Sequence, residues 1–286
     1  MSIAAGRGGM VSLTGADPRS YACHALHSAS RLYPETNCYS DVIIELLHAG
    51  GYEPLAAFGH LVRIDFEGDQ WTFFKPPPED LERLYGIDIH EMQPYRPVPQ
   101  QIAEQIALGR TIIVELDAWF LPDTASTSYR AEHVKTSVAA DAIDPEAEVL
   151  HYFHGGGLYA LAAEDYRGVF RIGADPAGAL PPYTEIVRFD AGERPAADDL
   201  RRIAHQTLSR HLARRPRTNP FARFGEALAR ELPTLLDADL AAYHAYAFAT
   251  VRMAGAAFEV AADAIDPEAE VLHYFHGGGL YALAAE

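Results

Sequence analysis

Cys38 stands in the run Pro34-Glu35-Thr36-Asn37-Cys38-Tyr39-Ser40-Asp41, just ahead of the apolar-periodic residues Val42, Ile43, Leu46 and Leu47 that stop at Gly50-Gly51. That pattern predicts a helix over 38–49, capped by Thr36 or Asn37, with the thiol in its first turn. The positive end of a helix dipole favours a nucleophilic thiolate, and cysteine acyl-transfer enzymes place their cysteine in this way. The competing role is structural, because free cysteine is among the most buried residue types.

A thiol nucleophile needs a base within hydrogen-bond reach and a third group that orients the base. Thirteen histidines are present, so position has to choose among them. His133 follows a long loop, 121–132, after the buried-strand type run Thr111-Ile112-Ile113-Val114-Glu115-Leu116 that ends at Asp117, and it opens an alternating strand. The orienting group is expected near the end of the neighbouring antiparallel strand, at His154, with Asp144 and Asp141 as substitutes. An oxyanion would be held by the backbone N–H of Cys38 with the side-chain amide of Asn37 or Gln70. Each histidine also has an ordinary role as a packed or solvated ring. Cys23-His24-Ala25-Leu26-His27 and His151-Tyr152-Phe153-His154 bring ligand types close, but neither offers enough ligands for zinc. No metal and no cofactor is expected.

These residues need elements to hold them. Beyond the strand at 111–116, His133 to Ile143 alternates as a second strand, Asp144-Pro145-Glu146-Ala147 turns, and Glu148 to Phe153 returns. Val98 to Leu108 is a helix stopped by Gly109, and Leu61–Glu67 with Gln70–Lys75 forms a hairpin around Gly68-Asp69. From about Pro195 the pattern is helical, over 196–215, 220–232 and 237–259, with breaks at Pro216, Pro220 and Pro233. The expected architecture is α+β: a loose leader at 1–20, a unit at 21–192 whose cysteine-bearing helix packs on an antiparallel sheet, and a helical unit at 193–259.

Composition excludes several classes. A net charge of −17 argues against nucleic-acid binding, which needs a basic footprint. Seven arginines between Leu200 and Phe224, with no acid among them, suit either an acidic partner or a solvated helix face. No apolar run approaches a membrane span or a signal peptide. Two cysteines make one disulfide at most, which points to a reducing cytoplasm.

Residues 138–164 recur letter for letter as 260–286. Two identical copies so far apart are not a solenoid, and the second supplies neither a nucleophile nor a base of its own. It is expected to be a graft without function, helical at its start or loosely packed, although it shares the pairing preference of the first copy.

The order Asn37-Cys38, then Gly109-Arg110-Thr111-Ile112-Ile113-Val114-Glu115-Leu116-Asp117-Ala118-Trp119-Phe120-Leu121-Pro122, then Tyr129 and His133, resembles the N-terminal domain of the butirosin-biosynthesis acyltransferase. More closely, DFEGDQWTFFKPP, DLERLYGIDI, LARRPRTNPFARF and AYHAYAFAT, across residues 20–259, resemble an uncharacterised bacterial family, domain of unknown function 1839. The acyltransferase resemblance implies a papain-like cysteine-peptidase fold. It also implies transfer of an acyl or aminoacyl group, from a thioester on a carrier protein or coenzyme A, to a small amine. It puts Cys38 on the nucleophile, His133 on the general base and Asp117 on the acid that closes the strand before the Leu-Pro turn. One departure is plain: where that pattern ends its last strand with aspartate, this chain has His154. The alternatives are a peptidase or amidohydrolase, which differs in its acceptor, and a non-catalytic binding module of the same fold.

Overall fold

Chain order begins with two short strands, β1 (Ala4–Ala5) and β2 (Val11–Ser12), then the helix α1 (Cys38–Ala49). Next come α2 (Pro78–Tyr85), β3 (Asp88–Met92), α3 (Val98–Ala107), β4 (Arg110–Asp117), β5 (Lys135–Asp144), β6 (Val149–His154) and β7 (Gly157–Ala162). They are followed by α4 (Ala163–Val169), β8 (Thr184–Arg188), α5 (Ala197–Leu212), α6 (Pro220–Asp237), α7 (Leu240–Ala247), α8 (Met253–Ile265), β9 (Val271–His276) and β10 (Gly279–Ala284). The computed structural model describes residues 9–174 and 180–265 in full, and 4–5, 271–276 and 279–284 as backbone. The chain forms two compact units: Met1–Pro54 with Pro77–Leu200, and Leu55–Pro76 with Arg201–Glu286.

The first unit is α+β around an eight-stranded sheet in which every pairing is antiparallel. Its path runs β1-β2-β5-β4-β8-β3, with β6 and β7 continuing from the other edge of β5. Helix α1 packs on β5 and β6, while α3 packs on β4, β5 and β2. Strand alternation decides which side chains meet which helix. Ile112, Val114, Leu116, Val138, Ala140 and Tyr152 share one core with Ile102 and Ile106 of α3. Ile113, Glu115, Asp117 and Ser137 therefore point to the opposite face, toward α1. Coverage on both faces is why β4 is an almost unbroken apolar run.

Helix α1 is the most deeply placed helix, and even its polar residues Ser40, Asp41 and Glu45 are buried. Buried carboxylates require partners. His27, on the segment leading into α1, lies between them: its Nδ1 bonds Glu45 Oε1 and its Nε2 is 3.3 Å from Asp41 Oδ1. Glu45 also accepts from the Tyr21 hydroxyl at 2.5 Å and from the His24 N–H at 3.0 Å. Asp41 accepts from Thr36 N–H at 2.9 Å and from its hydroxyl at 2.6 Å. Burial pushes the His27 imidazole down, but hydrogen bonds and charge from Asp41 and Glu45 outweigh it and raise the pKa to about 9. The tight turn after β6 closes over this site, and a Cβ on Gly156 would lie 2.7 Å from His27 Cβ.

The expected loose leader is tied into the sheet. Val11 and Ser12 pair with Ile143 and Ala142, Leu13 is 2% exposed in the core, and Asp141 accepts from Thr14 N–H and Oγ–H at 3.1 and 2.6 Å. The cause is a bulge: Ala140 pairs with Tyr152 and Ala142 with His151, leaving Asp141 as the extra residue. That extra residue lets Ala140 and Ile143 share the core face. Burial pushes the Asp141 carboxyl above its usual range despite the Thr14 bonds. Two strands absent from the sequence expectations, β3 and β8, complete the sheet.

The second unit is helical and also takes in residues 55–76, which the sequence boundaries had assigned to the first. The expected hairpin there is reduced to a bridge between Phe66 and Trp71 after a 3₁₀ stretch, Pro54–Arg63. It docks through aromatic contacts of Phe66 and Trp71 with Phe224, and of Trp71 with Phe221 and Phe258. Arg223 of α6 bonds the Asp65 carboxylate and, at 3.3 Å, the Phe66 carbonyl. Pro233 does not end a helix as expected; α6 runs through it, without the bond its missing N–H would donate to Ala229.

The duplicated tail starts as the last turns of α8, so Val260–Ile265 is helix where the identical Val138–Ile143 is strand. Further along, β9 and β10 pair as a separate two-stranded sheet in the register of β6–β7, with His276 opposite Gly279 as His154 is opposite Gly157. Among the described residues no helix is long and apolar enough to cross a membrane.

Two stability predictions follow from this architecture. Leu13→Ala should cost ~2–5 kcal/mol in urea unfolding, whereas a truly loose leader would give no change. The His27 pKa is higher in the folded chain than unfolded, so its pairing stabilises fully below about pH 6.5 and fades as pH climbs through about 9. Unfolding free energy should drop by ~3 kcal/mol across that window; a flat or rising profile would remove the charged pairing.

Candidate active site

Asn37 builds the start of α1. It holds an extended backbone (φ −137°, ψ 154°) and its side chain accepts from the Ser40 N–H at 2.9 Å. Of the two expected caps, Asn37 serves, while Thr36 holds Asp41. Cys38 is then the first helical residue, half-buried, with the helix N-terminus beneath it. Its thiol lies 3.7 Å from the Ser137 hydroxyl on β5. Next to it, Tyr39 donates to the buried Glu185 at 2.6 Å, and Tyr183 donates to the same carboxylate at 2.6 Å. Burial, then the Glu185 charge, drives the Tyr39 phenol far above its usual range, so it stays protonated.

From Cys38 a file of polar pairs runs along the β4–β5 ladder on the same face. Ser137 is opposite Glu115 and Lys135 opposite Asp117. Diagonal neighbours on one face are within reach of long side chains. Lys135 Nζ accordingly meets Glu115 Oε1 at 2.5 Å, and His133 Nδ1 meets Asp117 Oδ2 at 2.6 Å. The carboxylate makes Nδ1 the donor and leaves Nε2 outward. The His133 side chain is 66% exposed and its ring lies on Trp119 at 4.6 Å and 12°.

The structure thus joins His133 to Asp117, and Cys38 to Ser137, as two separate contacts. His133 sits four residues before Ser137, about 13 Å along an extended strand. No hydrogen bond links thiol and imidazole among the described residues. His154 is not bonded to His133. It shares the other face with Tyr152, where its Nδ1 meets Asp123 Oδ2 at 2.5 Å and its Nε2 meets Thr136 Oγ1 at 2.8 Å. Adjacent strand residues point to opposite faces, so Thr136 with His154 and Ser137 with Cys38 are separated by the sheet. Of the substitutes, Asp141 holds the N-terminal segment and Asp144 caps the N–H groups of Glu146 and Ala147. Gln70 is exposed on a turn of the second unit, where its carbonyl accepts from Glu67 N–H at 2.8 Å.

Sequence reasoning missed Asp123, Ser137 and Glu185. Asp123 follows the Leu-Pro turn and gave no signal, because its partners Tyr152 and His154 are about thirty residues away. Ser137 is recognisable only from the register that sets it beside α1.

Fold and site together define an α+β protein in which an antiparallel sheet carries a histidine–carboxylate pair on the face that receives a cysteine-bearing helix. Residues 22–189 match the DUF1839 N-terminal domain and residues 197–269 the DUF1839 C-terminal domain. The chain belongs to the DUF1839 family. None of the curated proteins compared with it matches.

Asn37→Ala should cost ~1 kcal/mol of stability through the lost cap, and Asn37→Asp should recover most of it. Thermal melting of the two variants checks this; wild-type melting of Asn37→Ala would mean that the cap contributes nothing.

Proposed function

We propose that the chain is a cysteine-dependent acyl-transfer enzyme of papain-like type. Cys38 attacks a thioester or amide carbonyl and His133, oriented by Asp117, moves the proton. The observation that carries this reading is the His133–Asp117 pair at 2.6 Å on the sheet face toward which the first residue of α1 is directed. A carboxylate on Nδ1 supports the imidazolium that forms when the thiol is deprotonated, which a histidine in that role would not do. Asp117, which the resemblance put on the acid closing the strand before the Leu-Pro turn, takes the orienting role in this scheme. The His133 ring is open to solvent on that face, within reach of an entering substrate. Backbone N–H groups at the start of α1 are the oxyanion donors in this scheme. The acyl donor is a carrier-protein or coenzyme A thioester, and the acceptor a small amine or water, the last giving a peptidase or amidohydrolase.

A second reading rests on one specific contact. The hydrogen-bond partner of the Cys38 thiol is the Ser137 hydroxyl, not an imidazole. This favours a binding module that uses the same face to hold a carrier or peptide partner.

Alkylation by iodoacetamide at neutral pH separates the two. Cys23 is exposed, but burial of its sulfur and then Glu45 push its thiol pKa up. An enzyme should be modified at Cys38 at least ~10-fold faster than at Cys23, with the advantage lost in His133→Ala. Equal, slow labelling of both, insensitive to His133, selects the binding module.

A further inference from the structure

Asp123 and His154 lie outside the proposed chemistry, yet they are directly bonded at 2.5 Å on the α3 face of the sheet. Asp123 is in the loop that leaves β4 after Asp117, passes through Trp119 and returns at His133. Its carboxylate is nearly buried and accepts both the Tyr152 hydroxyl and His154 Nδ1–H, from two positions on β6. With Nδ1 as donor to the carboxylate, a neutral His154 ring presents Nε2 as an acceptor for the Thr136 hydroxyl of β5. One imidazole therefore ties the loop to two strands. Thr124, next in the loop, donates its hydroxyl to Ala118 and Leu121 carbonyls at 3.0 and 2.9 Å, which stiffens the stretch between Asp117 and Asp123. Arg130 N–H donates to the Trp119 carbonyl at 3.1 Å and closes the loop on itself.

The face of Trp119 on which His133 stacks is set by this stretch. We propose that Asp123 and His154 form a latch that positions His133, holding the loop to β5 and β6 so that Trp119 and Asp117 fix the ring from two sides. His154 is a positioning residue here, acting through Asp123 and Trp119 without touching any reacting atom. This deepens the acyl-transfer reading by adding residues that prepare its base. The stack, however, can be measured whether or not that reading holds.

The test labels the protein with 5-fluorotryptophan. Only Trp71 and Trp119 are present, so two fluorine resonances arise, assigned with Trp119→Phe. His133→Ala gives the resonance position of an unstacked Trp119. Asp123→Ala and His154→Ala should each move the Trp119 resonance most of the way to that position and leave Trp71 unchanged. His154→Asn, which retains a donor for Asp123 and an acceptor for Thr136, should restore it. Thr136→Val, which leaves the Asp123 bond intact, should stay near wild type. The latch is overturned if both alanine variants melt at lower temperature while the Trp119 resonance stays at its wild-type position, since that is the signature of a bond with a purely structural role. It is also overturned if Thr136→Val moves the resonance as far as His154→Ala does. Should His154→Ala not fold, Asp123→Ala with the His154→Asn rescue decides the matter. Loss of Cys38 reactivity without movement of Trp119 would count against the latch and leave the acyl-transfer reading in place.

Discussion

His27 is the hinge of the first unit. Two carboxylates on successive turns of α1, Asp41 and Glu45, are carried into the interior by a helix whose apolar residues must also be buried. Without a cation between them they would repel at short range in a medium that screens poorly. The imidazolium supplies that cation, and Tyr21, His24 and Thr36 satisfy the remaining oxygen lone pairs. The segment from Tyr21 to Asn37 is thereby fastened along α1. Asn37 caps the helix only because that segment arrives in an extended conformation at the right place. The position of Cys38 is thus a consequence of a buried ionic arrangement one to two turns further along the helix.

Much of the site's scaffolding was legible in the sequence, for local reasons. The start of α1 at Cys38 followed from a cap residue ahead of a periodic apolar run. The end of β4 at Asp117, and the strand–turn–strand of β5 and β6, followed from an apolar run and a proline turn. What could not be seen depends on contacts between distant residues. β3 and β8 are short, and their pairing joins residues about a hundred apart. Leu13 has no periodic neighbours, and only the bulge at Asp141 gives its segment a place to pair. His154 and Asp123 belong to the same category: both were visible as residue types, but the side of the sheet they occupy is set by register.

The duplicated stretch makes the point within one chain. Val-Ala-Ala-Asp-Ala-Ile is a central strand at 138–143 and the end of a helix at 260–265. Alanine-rich sequence has high helix propensity, so after Glu259 the helix simply continues. At 138 the partners β4 and β6 stand on both sides, and ladder pairing with side-chain burial on each face outweighs that preference. The two strands that follow keep the same register in both settings, since their cross-strand pairing lies within the segment itself.

The assignment of residues 55–76 to the helical unit bears on how this chain can be taken apart. The polypeptide visits that unit early, goes back to complete the sheet, and only afterwards supplies the helices. A protease cut or gene truncation in the stretch between the two matched regions, 190–196, would therefore yield an N-terminal fragment carrying an aromatic arm stripped of its packing surface. The helical remainder would lack the strap that Arg223 holds. Expression of either half by itself calls for re-engineering: excision of the arm from one fragment and its fusion to the other.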